Sequence, residues 1–136
     1  MVPLGGNQVP ARPPLYPDAR MLTAHHVNAF LVIAVCVVAS GAAFLARRRG
    51  RAGAGVAQAL ALAQTLIVAQ VGLGLLLLSD HRRASDHLHY AYGTFALLAV
   101  LSPWLYAPSE PRARLLWFAC ATLVAAALGV RAYMTA

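Results

Sequence analysis

Four long apolar runs, parted by three short charged turns, constrain this chain more than any other feature. The runs cover about residues 21–46, 56–79, 88–106 and 115–133 of a 136-residue sequence. Crossing a hydrocarbon layer of about 30 Å takes roughly 20 helical residues. Lipid offers no partner to a backbone N–H or C=O, so each run has to satisfy its own hydrogen bonds as a helix. The alternation of a membrane β-barrel is absent. Turns this short make consecutive helices antiparallel. The expected fold is therefore all-α, an integral membrane four-helix bundle running up-down-up-down over residues 21–136. The first three runs reach spanning length, whereas the fourth spans only if Arg131 snorkels to the surface. Residues 1–20 read as a retained tail, in which Pro3, Pro10, Pro13, Pro14 and Pro17 bar a helix. The tail lacks the basic and apolar regions of a signal peptide.

Only 11% of the residues are charged, against about 25% in an average soluble domain. Once four spans are subtracted, no room is left for a soluble catalytic domain, and independent enzymatic activity is not expected. The net charge of +7 arises because all eleven basic residues are Arg, against Asp18, Asp80, Asp86 and Glu110. Most of these Arg sit at the ends of apolar runs, which points to topology and lipid headgroups rather than nucleic acid. Arg47, Arg48, Arg49 and Arg51 lie in the first turn, and Arg112 and Arg114 in the third. The positive-inside rule then places these turns in the cytoplasm and both termini outside. Trp104, Tyr106 and Trp117 would line the inner interface, and Tyr90, Tyr92 and Tyr133 the outer one. Arg without Lys, beside abundant Ala and Gly, suggests a high-GC bacterial genome, hence a bacterial plasma membrane. No acidic residue or Lys interrupts an apolar run, which disfavours a pump or channel. Cys36 and Cys120 belong to no paired motif and read as small buried packing residues.

The five histidines carry the chemical interest: His25, His26, His81, His87 and His89 all fall on the outer side of this topology. Helical geometry sorts them at about 100° per residue. His25 shares a face with Ala29, Val32, Cys36, Ala39 and Ala43, while His26 shares one with Phe30, Ile33, Val37 and Phe44. Small residues let helices or a flat ligand approach closely, so His25 is expected to point inward and His26 outward. His89 shares a face with Gly93, Ala96 and Val100, and His87 lies about 160° away. Gln70 aligns with Ala63 and Gly74. His25 and His89 therefore sit at similar depth on small-residue faces, an arrangement that suits two axial imidazoles on a haem b iron. Arg20, Arg82 or Arg83 would pair with the propionates. Leucine at Gly93 is expected to overpack this interior, at a cost of about 1–3 kcal/mol. Leu76 and Leu77 are expected to face lipid.

Two other readings of these residues stay open. Histidines near a membrane interface serve as amphipathic anchors, and small-residue faces serve plain helix packing. Alternatively Asp86, His87 and His89, completed by His25 or His26, would make a three- or four-ligand copper or zinc site. Gln58, Gln64 and Gln70 are six apart and fall on different faces, so they mark no polar pathway.

The segment His89-Tyr90-Ala91-Tyr92-Gly93, following Gln70-Val71-Gly72-Leu73-Gly74, resembles small bacterial membrane b-type cytochromes and the four-helix units of haem A synthase-like proteins. The resemblance covers the middle third of the chain. It implies a haem-ligand role for His89, with His25 as the partner reached from facing alone. The glutamate and cysteine motifs of haem A synthase are missing here, which speaks against that activity. The candidate site is thus His25, His89, Gly93, Gln70 and Gly74, with His25 and His89 as the iron ligands. The expected function is haem b binding in electron transfer or respiratory-complex assembly. The rival is a cofactor-free accessory subunit of a larger membrane complex.

Overall fold

The structure is a computed structural model and describes residues 18–81 and 83–136. The tail up to residue 17 and Arg82 lie outside the described residues. Four helices account for nearly all of the remainder: α1 Asp18–Arg48, α2 Ala54–Ser79, α3 Leu88–Tyr106 and α4 Pro111–Met134. No strand occurs among the described residues. Helix α1 begins within the expected tail, at Asp18, immediately after the last proline of that segment.

The other boundaries follow local chemistry. Helix α1 ends on Arg47 and Arg48, which favour the negative end of the helix dipole. The chain then turns through Gly50, whose φ of +69° lies in the left-handed region that suits glycine. Helix α4 starts four residues before its apolar run. Pro111 occupies the first turn, and the Glu110 carboxylate accepts from the backbone N–H of Arg112 at 2.9 Å and of Ala113 at 2.5 Å. Those two hydrogen bonds, aided by the nearby Arg112 and Arg47 charges, hold the Glu110 carboxyl below its ordinary pKa. The cap lengthens α4 to 24 residues. It thus becomes one of three helices, with α1 and α2, long and apolar enough to cross a membrane. Helix α3, 19 residues long, is not among those three. Histidine, tyrosine, glycine and threonine fill its first turns, and Pro103 interrupts its last.

Helix α1 packs along α2 and α4, and α3 packs along α4, whereas α2 and α3 barely meet. The bundle is a ring with one loose seam. Trp104 Nε1 donates to Gln64 Oε1 at 3.2 Å, and Arg112 reaches over Gly50, so the ends facing the Arg-rich turns gather together. His25, Gln70, His89 and Ala132 gather at the opposite end. Successive helices therefore alternate in direction.

The interior is built from small residues. Cys36, Ala39, Ala43, Ala63, Ala119 and Ala125 are completely buried, and Ser40 Oγ donates to the Ala119 carbonyl at 2.8 Å across the α1–α4 contact. Large apolar side chains, among them Phe30, Val38, Leu75, Phe95 and Leu98, are exposed around the outside. Two sequence expectations change here. Cys120 is exposed rather than buried, because it lies on the far side of α4 from Ala119 and Thr122. Leu77 is 8% exposed rather than outward-facing. It stands seven residues after Gln70, two turns along the same inward face, while Leu76 does point out.

Thr122 Oγ1 is buried without a hydrogen-bond partner among the described residues. An unsatisfied buried hydroxyl costs about 1–3 kcal/mol. Thr122→Val keeps the branched shape and removes that cost, so thermal unfolding of the purified variant should show a stabilisation of about 1 kcal/mol. A midpoint at or below that of the parent protein would show the hydroxyl to be satisfied.

Candidate functional site

The loose seam opens into a cavity of about 630 Å³ at the histidine end of the bundle. Its size lies within the range of about 300–1,000 Å³ typical of ligand pockets. All four helices line it, and so do His25, Gln70, Gly74, His89 and Gly93. Its walls are mainly apolar. Toward the Arg-rich end the α2–α3 seam is held by Gln64, which accepts from Trp104 and makes a long 3.5 Å contact to the Val100 carbonyl. At the histidine end no such bridge joins the two helices among the described residues, which is why the space persists.

Across the cavity, His25 on α1 and His89 on α3 approach to 6.0 Å between ring centroids, with their planes tilted by 55°. The two helices are diagonal and have no direct backbone approach, so only long side chains bring them together. His25 is 8% exposed, whereas His26, one residue on, is exposed and leans toward Tyr133 at 6.5 Å. His81 and His87 are also exposed. His87 serves as the residue before α3, and His81 occupies the α2–α3 turn with φ of +63°.

Each inward imidazole has its own support. His89 Nδ1 donates to the Ala132 carbonyl in the last turns of α4 at 2.8 Å. That bond fixes the tautomer and turns Nε2, with its lone pair, away from α4. The Gln70 amide nitrogen stands 3.3 Å from His25 Nδ1 and 3.2 Å from Nε2. Gln70 is in turn held by Asn28, whose amide donates to Gln70 Oε1 at 2.9 Å and to the Leu66 carbonyl at 3.2 Å. Gly74 lies against the His25 ring, where a Cβ would make a van der Waals contact of 3.4 Å with His25 Cε1. Gln70 and Gly74 therefore frame His25 itself, a more specific placement than lining a common face.

Gly93 differs from Gly74. A Cβ added at Gly93 meets nothing within 4 Å. The overpacking expected from the sequence is corrected accordingly, since a side chain here enters open cavity rather than a neighbouring helix. Gly93→Leu should fill part of the cavity and leave the thermal midpoint unchanged or higher, because leucine also favours the helix over glycine by about 1 kcal/mol. A clear fall in midpoint would mean that the space is filled in solution.

Among the described residues no three His, Cys, Asp or Glu side chains gather as metal ligands. Asp86 instead caps α3, its Oδ1 accepting from Leu88 N at 2.9 Å. The three- or four-ligand metal site is not assembled by this fold. Arg83 lines the cavity mouth and Arg20 is exposed.

The sequence reading missed three participants. Asn28 carried a signal, being a lone amide three residues after His25 in an apolar run. Tyr90 resembled an interfacial anchor, yet its hydroxyl accepts from Ala84 N at 2.9 Å and pins the α2–α3 turn over the cavity. Ala132 acts only through its carbonyl, which no side-chain pattern reveals. Set against protein-family models, curated proteins and solved structures, the chain matches none of them.

Proposed function

We propose that this chain is a multi-pass membrane protein of four spans that binds haem b between His25 and His89. It would serve electron transfer, or the assembly of a respiratory complex, at the outer face of a bacterial plasma membrane. Membrane insertion is supported by the inverted character of the bundle, with small residues inside and large apolar side chains outside. Water would not tolerate so extensive an apolar exterior, whereas lipid matches it. Helix α3 would complete the set, with its histidine- and tyrosine-bearing first turns at the interface.

The observation that carries the haem reading is the pair of imidazoles 6.0 Å apart on opposite walls of one apolar cavity. His25 and His89 would hold the haem iron, each through one ring nitrogen. A porphyrin brings four nitrogens of its own, so two protein ligands suffice where a bare metal ion would need a third. The Ala132 carbonyl suits this role, because an acceptor on Nδ1–H makes the opposite nitrogen a better ligand and holds the ring in place. Arg83 at the mouth suits a propionate. The bound group would supply a one-electron couple, and the apolar walls would keep water from its iron.

Purification from cells supplied with haem tests this. The expected product is red, with a reducible Soret and α-band and weak carbon monoxide binding, as six-coordination predicts. A colourless protein under these conditions would return the chain to the accessory-subunit reading.

A further inference from the structure

We propose that the Arg-rich end of the bundle binds the phosphate of an anionic phospholipid, held by Arg47 and Arg112 where the turn after α1 meets the start of α4. The inference rests on the membrane part of the reading above and not on the haem.

The charges of the chain are divided unevenly between its two ends. In the sequence, Arg20, Arg82, Arg83 and Arg131 share the histidine end with Asp18, Asp80 and Asp86. The other end carries Arg47, Arg48, Arg49, Arg51, Arg112 and Arg114 against Glu110 alone. Glu110 is committed to the backbone, since its two carboxylate oxygens cap α4 at Arg112 N and Ala113 N. A topology signal needs Arg on one side of the membrane and nothing more. This fold goes further and brings the Arg of two turns, far apart in sequence, into one place. The Arg112 guanidinium reaches over Gly50, 3.3 Å from where a Cβ on that residue would stand. Arg47 stands near enough to the same cap for its charge to bear on Glu110. The turn that carries the others is fixed by its own backbone, with Arg49 N donating to the Leu45 carbonyl at 3.0 Å and Arg51 N to the Ala46 carbonyl at 3.1 Å. All six Arg are exposed.

Like charges gathered without a countercharge repel one another, so this corner favours an anion. Its surroundings select which one. A guanidinium presents a planar fork of N–H groups that matches two phosphate oxygens. Just beneath the Arg the exterior turns apolar. Leu45, one turn before Arg48 and Arg49, is exposed, and so are Trp104 and Leu105 in the last turn of α3. Arg114 joins the two zones, its guanidinium carbon 5.9 Å from the ring centroids of both Trp104 and Phe118. An occupant that is anionic at one level and apolar immediately below it is a phospholipid with a net negative headgroup. Inorganic phosphate or an acidic protein segment matches only the charged half.

Phosphatidylglycerol added to the purified protein in neutral detergent should raise its thermal midpoint, because a ligand of the folded state stabilises it. Phosphatidylcholine and inorganic phosphate at the same concentration should not. Titration of that rise gives an affinity, which the Arg47→Gln, Arg112→Gln double variant should lower by roughly fivefold for each Arg removed. Native mass spectrometry of the same variant should show less phosphatidylglycerol retained on the chain. The Arg20→Gln, Arg131→Gln double variant removes the same charge from the opposite end and should leave the lipid affinity unchanged. An equal loss in both double variants would reduce the effect to net charge and overturn the site. So would an equal rise with inorganic phosphate, or none with phosphatidylglycerol. Reconstitution into phosphatidylcholine vesicles checks the premise. A chain that fails to insert there sinks the membrane reading and this inference with it, whereas one that inserts without preferring phosphatidylglycerol sinks this inference alone.

Discussion

His25→Ala or His89→Ala should each abolish the low-spin spectrum of the haem-loaded protein or convert it to a five-coordinate, carbon monoxide-binding form. His26→Ala and His87→Ala should leave it nearly intact. The contrast is expected because the members of each pair, close in sequence, have different surroundings. His25 is buried against Gln70 and Gly74, while His26 is exposed beside Tyr133. His89 is tethered to Ala132 and aimed into the cavity, while His87 precedes α3 and is exposed. On the proposed reading, loss of either imidazole would leave the iron with a single protein ligand, and His26, which also lines the cavity, is exposed and leans toward Tyr133. Optical spectra of the four purified variants, with and without carbon monoxide, give the answer. A spectrum that survives loss of His25 but not of His26 would defeat the facing argument even if haem remained.

Cysteine labelling from outside intact cells should divide the chain cleanly. In a background lacking Cys36 and Cys120, Ser85→Cys should react with a membrane-impermeant reagent, and Gly53→Cys only after permeabilisation. Gly53 lies in the turn that follows four closely spaced Arg, and Ser85 in the turn over the cavity. Moving the Arg-rich ends across a membrane is disfavoured, so the expected orientation keeps those ends inside. Both positions are exposed in the fold, so protection has to come from the membrane rather than from packing. Reaction of Gly53→Cys in intact cells would reverse the orientation and place the cavity on the cytoplasmic side.

The sequence by itself determined the helices, their number and, on α1, the face that turns inward. Those properties are local, since a 3.6-residue period puts His25, Val32, Cys36 and Ala39 on one side of α1 wherever its partners lie. The same periodicity, applied to Gln70, would have placed Leu77 inside. It failed on Cys120 because the fourth run has small residues on more than one face, and only contact with α1 selects Ala119, Thr122 and Ala125 for burial. The start of α4 was missed because a Glu–Pro cap extends a helix beyond its apolar run.

Tertiary structure alone decided which seam stayed loose. Nothing in the apolar pattern says that α2 and α3 meet least among neighbours around the ring, since each is adjacent in sequence to the other across a short turn. The packing of α1 and α3 on α4 draws them apart and leaves the cavity beside Gly93. Tertiary structure also set the chemistry of each imidazole. The groups against each ring lie far away in the chain: the Gln70 amide for His25, and for His89 the Ala132 carbonyl, which fixes its tautomer. A pattern of residue types can place two histidines at one depth, but it cannot record which distant group stands against each ring.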